Sequence, residues 1–336
     1  MKFLKFCIAL IILVAGYGWL TNKFPPISLS FSPTQIPVDV EAYLHNEEAQ
    51  FRDIKPGLEK QIIWNDTETK SKTPYSVVYI HGFSASKEEI RPVPDNLAEH
   101  LEANLFYTRL TGHGRTNAAM GEMSYNQWVD DLAEAYEIGR RIGDKVIVMG
   151  TSLGGALIAW SALEGDTIGT DVVAAILVSP VLRINNFGSS LLTYPYAKFM
   201  SRIALGPTRC SGTHASMEIL YAWTVCYPSS ALLPLAQFVQ LVRKAEPDTA
   251  TIPTLFIYSP NDTEADEAVT AQYYENWGAK KDRLIIQHSQ NEKNHIVVGD
   301  LESPNNNDLV TKTTISWLEK LGIAPVTPPA MTEEAQ

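Results

Sequence analysis

A serine flanked by glycines, Gly150-Thr151-Ser152-Leu153-Gly154, is the feature of the sequence that points most clearly to chemistry. The apolar run 146–149 predicts a strand over residues 145–149 before it, and residues 156–163 after it predict a helix. A serine in the tight turn between them has its hydroxyl held out of the sheet, beside helix N–H groups that favour developing negative charge. The small residues allow strand and helix to approach closely. The pattern predicts Ser152 as a nucleophile that attacks a carbonyl carbon.

Two further loops follow predicted strands. His81-Gly82-Phe83-Ser84 comes directly after the strand that ends at Ile80, and Leu110-Thr111-Gly112-His113-Gly114 comes after the next strand. With the serine turn, these motifs resemble the α/β-hydrolase superfamily over residues 61–321. Within it, the His-Gly-Phe loop, the G-x-S-x-G turn and a mid-chain insertion look most like serine esterases and lipases of the monoglyceride-lipase and lysophospholipase kind.

The resemblance implies which groups stabilise the reaction. By it, the backbone N–H groups of Phe83 and Leu153 are the two donors of the oxyanion hole. His113 is then a structural residue near the site rather than the base. A serine nucleophile also excludes the dehalogenase and epoxide-hydrolase branches of the superfamily, which use a carboxylate at this position.

In this fold the acid and then the histidine follow the nucleophile along the chain. Asp262, just past the predicted strand Thr254–Tyr258, is the preferred acid, and Asp266 in the next helix is the alternative. His295 follows a loop and precedes an apolar segment, which matches the catalytic histidine of the superfamily. His288 is the alternative base, although it follows a predicted strand closely.

These residues together would activate the serine. His295 would remove the proton of Ser152, and Asp262 would fix the imidazole tautomer. We therefore expect hydrolysis of short- to medium-chain acyl esters, including monoacylglycerols, through an acyl-enzyme. The alternatives are a peptidase, thioesterase or C–C hydrolase on the same fold, or a catalytically silent, membrane-tethered binding protein. We expect no cofactor or metal, since the sequence has no cysteine–histidine cluster with zinc spacing and no glycine-rich phosphate loop.

The elements that position the site are short apolar runs separated by helical segments. They predict an α/β protein with the α/β-hydrolase fold, a mostly parallel, doubly wound sheet within residues 61–324. The first two runs flank a polar turn and suggest two adjacent strands. The runs are 62–64, 75–80, 105–107, 146–149, Val172–Val178, Thr254–Tyr258 and 284–286.

Residues 182–250 interrupt this alternation and are rich in aromatic side chains. Because the segment lies between two sheet strands, we interpret it as an insertion over one end of the sheet. A helical cap over the active site is the favoured interpretation. An ordinary helical packing layer, which would bury the same aromatics, is the alternative.

The N-terminus differs from the rest of the chain. Lys2 and Lys5 precede the uncharged run 6–20, which is typical of a signal anchor or signal peptide over residues 1–21. Residues 22–60 read as a Pro-containing spacer and a short helix, and residues 325–336 as a disordered tail. We therefore expect an exported protein, held at the membrane by its N-terminus.

Only two cysteines, Cys210 and Cys226, lie outside the N-terminal apolar segment. In an exported protein, two cysteines sixteen positions apart predict one disulfide. Two free buried thiols are the alternative.

The net charge of the chain is −11. This charge argues against nucleic acid or anionic headgroups as electrostatic partners. The expected partner is a small-molecule ester with an apolar acyl group.

Overall fold

The computed structural model describes residues 16–17, 25–164, 168–186, 188–194, 196–211 and 216–325. Seven strands form one sheet, and they are β1 Gln61–Ile63, β2 Thr73–Ile80, β3 Asn104–Tyr107, β4 Gly143–Thr151, β5 Val172–Val178, β8 Thr254–Tyr258 and β9 Lys281–Ile285. Two further strands, β6 Thr208–Cys210 and β7 Cys226–Pro228, form a separate antiparallel pair. The order along the sheet is β1-β3-β2-β4-β5-β8-β9. Neighbouring strands are parallel, except that β1 runs antiparallel to β3. The mostly parallel sheet predicted from the sequence is confirmed.

Helices cover both faces of the sheet. They are α1 Val40–Ala49, α2 Val93–His100, α3 Tyr125–Ile142, α4 Leu153–Leu163, α5 Ala197–Leu205, α6 Met217–Ala222, α7 Leu232–Val242, α8 Glu267–Asn276 and α9 Asn307–Lys320. One face of the sheet packs against α2 and α9, and the other face packs against α3, α4, α7 and α8.

The buried stretches of the central strands are largely apolar because both of their faces are covered. In β2, Val77 and Tyr79 join the core under α2 and α9, while Val78 and Ile80 join the core under α3 and α4. All four side chains are fully buried. A strand buried on both faces leaves an uninterrupted apolar run, which explains why such runs located the strands correctly.

The sequence-based expectation that the first two strands are adjacent is wrong. Strand β3 lies between β1 and β2, and β1 pairs with β3 through Ile62 opposite Phe106. Because a parallel partner of β2 requires a crossover, β3 reaches that position through α2, and β1 is left at the edge of the sheet. At the opposite edge, β9 begins at Lys281, within a charged stretch that the apolar run did not include.

Residues 25–37, expected to act as a spacer, lie against the body of the protein. The N–H groups of Ser30 and Phe31 donate to Asp130 Oδ1 at 2.6 and 2.9 Å, and the side chain of Ile36 is buried in the core. The predicted helix in the spacer is α1.

The predicted signal segment lies outside the described residues except for positions 16–17, and so does the predicted tail beyond residue 325. Among the helices of the described ranges, none has the length and apolar character needed to cross a membrane.

The insertion between β5 and β8 has two parts with different environments. Helix α7 is part of the core, with Phe238 fully buried, as an ordinary packing layer would be. By contrast, Tyr194, Tyr196 and Phe199 are each more than half exposed. Between these parts, a disulfide joins Cys210 in β6 to Cys226 in β7.

Candidate active site

Ser152 forms the turn between β4 and α4, at φ 52° and ψ −111°. A non-glycine residue at positive φ is strained by roughly 1–3 kcal/mol, and such strain concentrates at functional sites. The turn is also tight. A Cβ on Gly154 would lie 2.0 Å from the carbonyl oxygen of Ile80, and one on Gly150 would lie 2.5 Å from Ile158 Cδ1. Glycines are therefore required for α4 to begin this close to β2.

The structure brings Ser152, His295 and Asp262 together. Ser152 Oγ lies 2.9 Å from Nε2 of His295, and Nδ1 of the same ring lies 2.7 Å from Oδ2 of Asp262. With the Nδ1–H donated to the carboxylate, Nε2 is left to accept the serine O–H. The three side chains come from the end of β4, the loop after β8 and the loop after β9. All three lie at the carboxyl ends of these parallel strands.

The electrostatics around His295 favour its charged form. Burial of the ring lowers the pKa of His295, but the charge and the hydrogen bond of Asp262 outweigh burial and raise this pKa above its ordinary value. The charges of Glu264 and Glu89 act in the same direction. The imidazole is therefore a stronger base than a free histidine.

Asp262 is held in place by backbone donors. Its carboxylate is buried, and Oδ1 accepts the N–H groups of Glu264 and Ala265 at 2.8 and 2.9 Å. This arrangement leaves Oδ2 for His295. Because the donors are main-chain groups of the loop after β8, that loop sets the direction of the carboxylate.

The two alternative residues lie apart from this cluster. Asp266 caps α8 by accepting the N–H of Val269, and it forms an ion pair with Arg183. His288 is exposed to solvent in the loop after β9.

The two predicted oxyanion donors flank the nucleophile. Phe83 follows Gly82, and a Cβ on Gly82 would lie 3.2 Å from Ser152 Cβ. Leu153 follows the serine and is the first residue of α4. In the described parts of the chain, neither the Phe83 N–H nor the Leu153 N–H donates to a protein acceptor. Both groups are thus available to a bound anion.

Two buried histidines fix the surrounding loops. His81 donates from Nδ1 to Gly82 O at 2.9 Å and accepts the Leu110 N–H at Nε2. Burial lowers the pKa of His81 to about 4, and burial together with His81 lowers the pKa of His113. Nδ1 of His113 lies 3.1 Å from the carbonyl oxygen of Thr111. Both rings are neutral near pH 7 and bind backbone groups.

Sequence reasoning missed Glu89, which is only 1% exposed. Its Oε1 accepts the Tyr79 O–H at 2.7 Å and the Gly82 N–H. Burial raises the pKa of Glu89 to about 7. The charged run Lys87-Glu88-Glu89 is typical of a solvated turn, so no local signal distinguishes the buried carboxylate from its neighbour.

Apolar groups border the oxyanion loop on the side of the insertion. The ring of Phe83 meets Tyr227 and Trp128 edge-on, with ring centroids 5.3 and 6.2 Å apart. The Thr224 N–H donates to Ser84 O at 2.7 Å, which ties the insertion to the same loop. Within the described residues, no group of three or more His, Cys, Asp or Glu side chains is arranged to hold a metal ion.

Comparison with known proteins agrees with this architecture. Residues 71–291 match the family described as serine aminopeptidase, S33. Among curated proteins, no match is found.

Solved structures of lipolytic enzymes have a similar fold. A structure from work on the metagenome-derived lipolytic enzymes LipS and LipT has a TM-score of 0.64 and 19% identity, covering 80% of this chain and 99% of that one. A soluble variant of monoglyceride lipase from Saccharomyces cerevisiae has a TM-score of 0.57 and 14% identity, with coverages of 80% and 92%. The monoacylglycerol lipase of Paleococcus ferrophilus has a TM-score of 0.55 and 14% identity, with coverages of 79% and 99%.

The assignment to the α/β-hydrolase superfamily made from sequence motifs is confirmed. The family match spans well over half of the chain and includes the serine turn. The chain belongs to the serine aminopeptidase S33 family of α/β-hydrolases.

Proposed function

We propose that this chain hydrolyses carboxylic esters of apolar acyl groups through an acyl-enzyme on Ser152, with His295 as base and Asp262 as its partner. The observation that carries the proposal is the hydrogen-bonded series Asp262–His295–Ser152, with distances of 2.7 and 2.9 Å, at a strand-to-helix turn. A serine hydroxyl alone is a weak nucleophile, and a correctly oriented imidazole is the group that activates it.

Acylation begins when His295 Nε2 takes the proton of Ser152 as Oγ bonds to the carbonyl carbon of the ester. The carbonyl π electrons move to oxygen, and we assign the N–H groups of Phe83 and Leu153 as donors to this oxyanion. One such donor contributes about 2.7–4 kcal/mol to the transition state. The C–O bond to the alcohol then breaks, and His295 returns the proton to the departing alkoxide. In deacylation, His295 takes a proton from water as the water oxygen attacks the acyl carbon. The bond to Ser152 Oγ then breaks, His295 returns the proton to the serine, and the acid is released.

Asp262 serves the base in two ways. Its hydrogen bond to Nδ1 keeps Nε2 free of a proton before attack, and its charge stabilises the imidazolium that forms. The two backbone N–H groups on its other oxygen hold the carboxylate in position.

An apolar acyl group fits the surroundings of the serine. The aromatic contacts of Phe83 with Tyr227 and Trp128 provide an apolar border close to the oxyanion loop. The lipolytic enzymes and monoacylglycerol lipases that have a similar fold support the same substrate class. The net charge of −11 favours a neutral ester over an acidic phospholipid. We therefore propose short- to medium-chain acyl esters, including monoacylglycerols.

The family description favours a second candidate, an aminopeptidase. Such an enzyme has to pair the substrate ammonium with a carboxylate near the nucleophile. In the described residues, the carboxylates around His295 are already engaged: Asp262 by the ring, Glu264 by Lys293, and Glu89 by Tyr79 and Gly82. These contacts favour the ester over the peptide.

We also propose that the enzyme acts outside the cytoplasm, beside a membrane. The disulfide between Cys210 and Cys226 is typical of an oxidising compartment. The uncharged run 6–20 after Lys2 and Lys5 is typical of an export signal or anchor. This placement would bring the site to esters that partition into lipid.

The purified full chain tests the reaction class directly. We expect turnover of p-nitrophenyl esters from acetyl to medium-chain acyl groups and of monoacylglycerols. Aminoacyl p-nitroanilides should not be cleaved, and a fluorophosphonate should label Ser152. Cleavage of the anilides without turnover of any ester would show that the second candidate is the correct one.

A further inference from the structure

A carboxylate that the mechanism does not use lies directly beside the nucleophile. Glu89 ends the 3-10 turn Lys87–Glu89, which follows the oxyanion loop and is capped by Ser86. Although its carboxylate is buried, Glu89 forms no ion pair with a lysine or arginine among the described residues. A buried carboxylate without a cation is unfavourable unless hydrogen bonds compensate it. Its hydrogen-bond partners therefore indicate what it does.

Those partners join the two halves of the site. Oε1 accepts the Gly82 N–H and the Tyr79 O–H, and the Tyr79 oxygen lies 2.8 Å from Thr151 Oγ1. A tyrosine has one proton to donate, so with Tyr79 donating to Glu89, Thr151 donates to Tyr79. Glu89 is thus linked both to the residue before Phe83 and to the residue before Ser152.

The two peptide groups around Gly82 are each held by one side chain. Glu89 accepts the N–H of the peptide between His81 and Gly82, while His81 Nδ1–H donates to the carbonyl of the peptide between Gly82 and Phe83. In a trans peptide the N–H points away from the carbonyl, so His81 also sets the direction of the Phe83 N–H. Glycine has the greatest backbone freedom of any residue, which makes both restraints necessary.

Glu89 is also close to the reacting groups. A Cβ on Gly82 would lie 3.1 Å from Glu89 Oε2 and 3.2 Å from Ser152 Cβ, so Gly82 is packed between the two side chains.

We propose that Glu89 is a positioning residue that orients the oxyanion loop by accepting the Gly82 N–H. This inference rests on the proposed function and adds a fourth side chain to the site. Removing the carboxylate would leave the Gly82 N–H and Tyr79 O–H without their acceptor and would release the peptide between His81 and Gly82.

Two substitutions separate the hydrogen-bonding role from the charge. Glu89→Gln keeps an oxygen that accepts from Gly82 and Tyr79 but removes the charge. Glu89→Ala removes both. The neighbouring Glu88→Gln is the matched control, because Glu88 is partly exposed and pairs only with Arg91 among the described ion pairs.

The experiment measures kcat, KM and fluorophosphonate labelling on the full chain, with a thermal melt for each variant. We expect Glu89→Ala to lower kcat roughly ten- to hundred-fold with KM nearly unchanged, since a misplaced donor acts on the transition state. Glu89→Gln should retain most of kcat, because its amide oxygen still accepts from Gly82 and Tyr79. Glu88→Gln should match the wild type.

Rescue by Glu89→Gln distinguishes positioning from a purely structural role. A folded Glu89→Gln protein that loses kcat roughly ten-fold or more would overturn the proposal, even if Glu89→Ala fails to fold. Wild-type kcat in a folded Glu89→Ala protein would overturn it as well. A wild-type protein that neither reacts with the probe nor hydrolyses an ester would instead refute the proposed function, and this inference with it.

Discussion

The strained backbone at Ser152 is held by main-chain contacts rather than by its own side chain. The Ser152 N–H donates to Val178 O at 2.9 Å, and the Ser152 carbonyl accepts from Ala156 and Val181 at 3.0 and 3.1 Å. These hydrogen bonds connect the turn to β5 and to the first turn of α4. Substitution of the hydroxyl therefore leaves the turn intact, and its effect on activity can be interpreted as chemical.

At this scale we predict that Ser152→Ala and His295→Ala each lower kcat by roughly 10⁴–10⁶-fold while the melting temperature stays close to that of the wild type. Because the two residues act on the same proton transfer, the double variant should be little worse than either single variant. Ester turnover and thermal melts measure both effects. His288→Ala is the matched control and should remain active. Full activity in His295→Ala together with loss of activity in His288→Ala would identify His288 as the base.

At the scale of elements, the hairpin of β6 and β7 connects the insertion to the oxyanion loop. Cys210 is paired with Cys226 in the register of the two strands, and the next residue, Tyr227, packs on Phe83. The disulfide therefore restrains the chain that borders the site. It also closes a loop that contains α6.

We predict that replacing both cysteines by serine lowers the free energy of unfolding by roughly 3 kcal/mol, the chain-entropy value for a loop of this length. Urea denaturation measures the loss, and each single serine variant should resemble the double variant. Unfolded, unreduced wild type should show one reactive thiol, from Cys7. Three reactive thiols would contradict the pairing.

Elements and residues differed in how well the sequence predicted them. The strands and the serine turn were predictable because burial on both faces and close backbone approach each leave a local pattern. The position of β1 was not, because strand pairing depends on where β3 enters the sheet. Residues 25–37 contain prolines typical of a spacer, yet Ile36 is in the core. Glu89 resembles its exposed neighbour Glu88, and only the three-dimensional turn distinguishes them.

At the scale of the whole molecule, buried charges attach the N-terminal part to the main body. Lys60, just before β1, forms an ion pair with Glu134 of α3, and both side chains are more than nine-tenths buried. Tyr43 of α1 donates to the same carboxylate at 2.8 Å. Burial lowers the pKa of Lys60, but Glu134 and Asp131 outweigh burial and raise it, so the ammonium stays charged.

We predict that Glu134→Gln lowers the free energy of unfolding by about 3–5 kcal/mol, because it leaves the Lys60 charge buried without its partner. Glu41→Gln is the control, since the ion pair of Glu41 with Lys70 is roughly half exposed and contributes about 0–1 kcal/mol. Urea denaturation measures the free energy of unfolding of both variants. Equal decreases would show that burial of an ion pair does not determine how much it stabilises the fold.

The contacts of His295 also determine when the enzyme becomes active during folding. His295 meets Asp262 across 33 positions of the chain and Ser152 across 143. Contacts between such distant positions require loop closure and form slowly. The nucleophile has no base until β5, β8 and β9 have joined β4 in the sheet. The onset of hydrolysis therefore marks the completion of folding rather than its beginning, and a nascent chain that ends before residue 295 holds an unactivated serine.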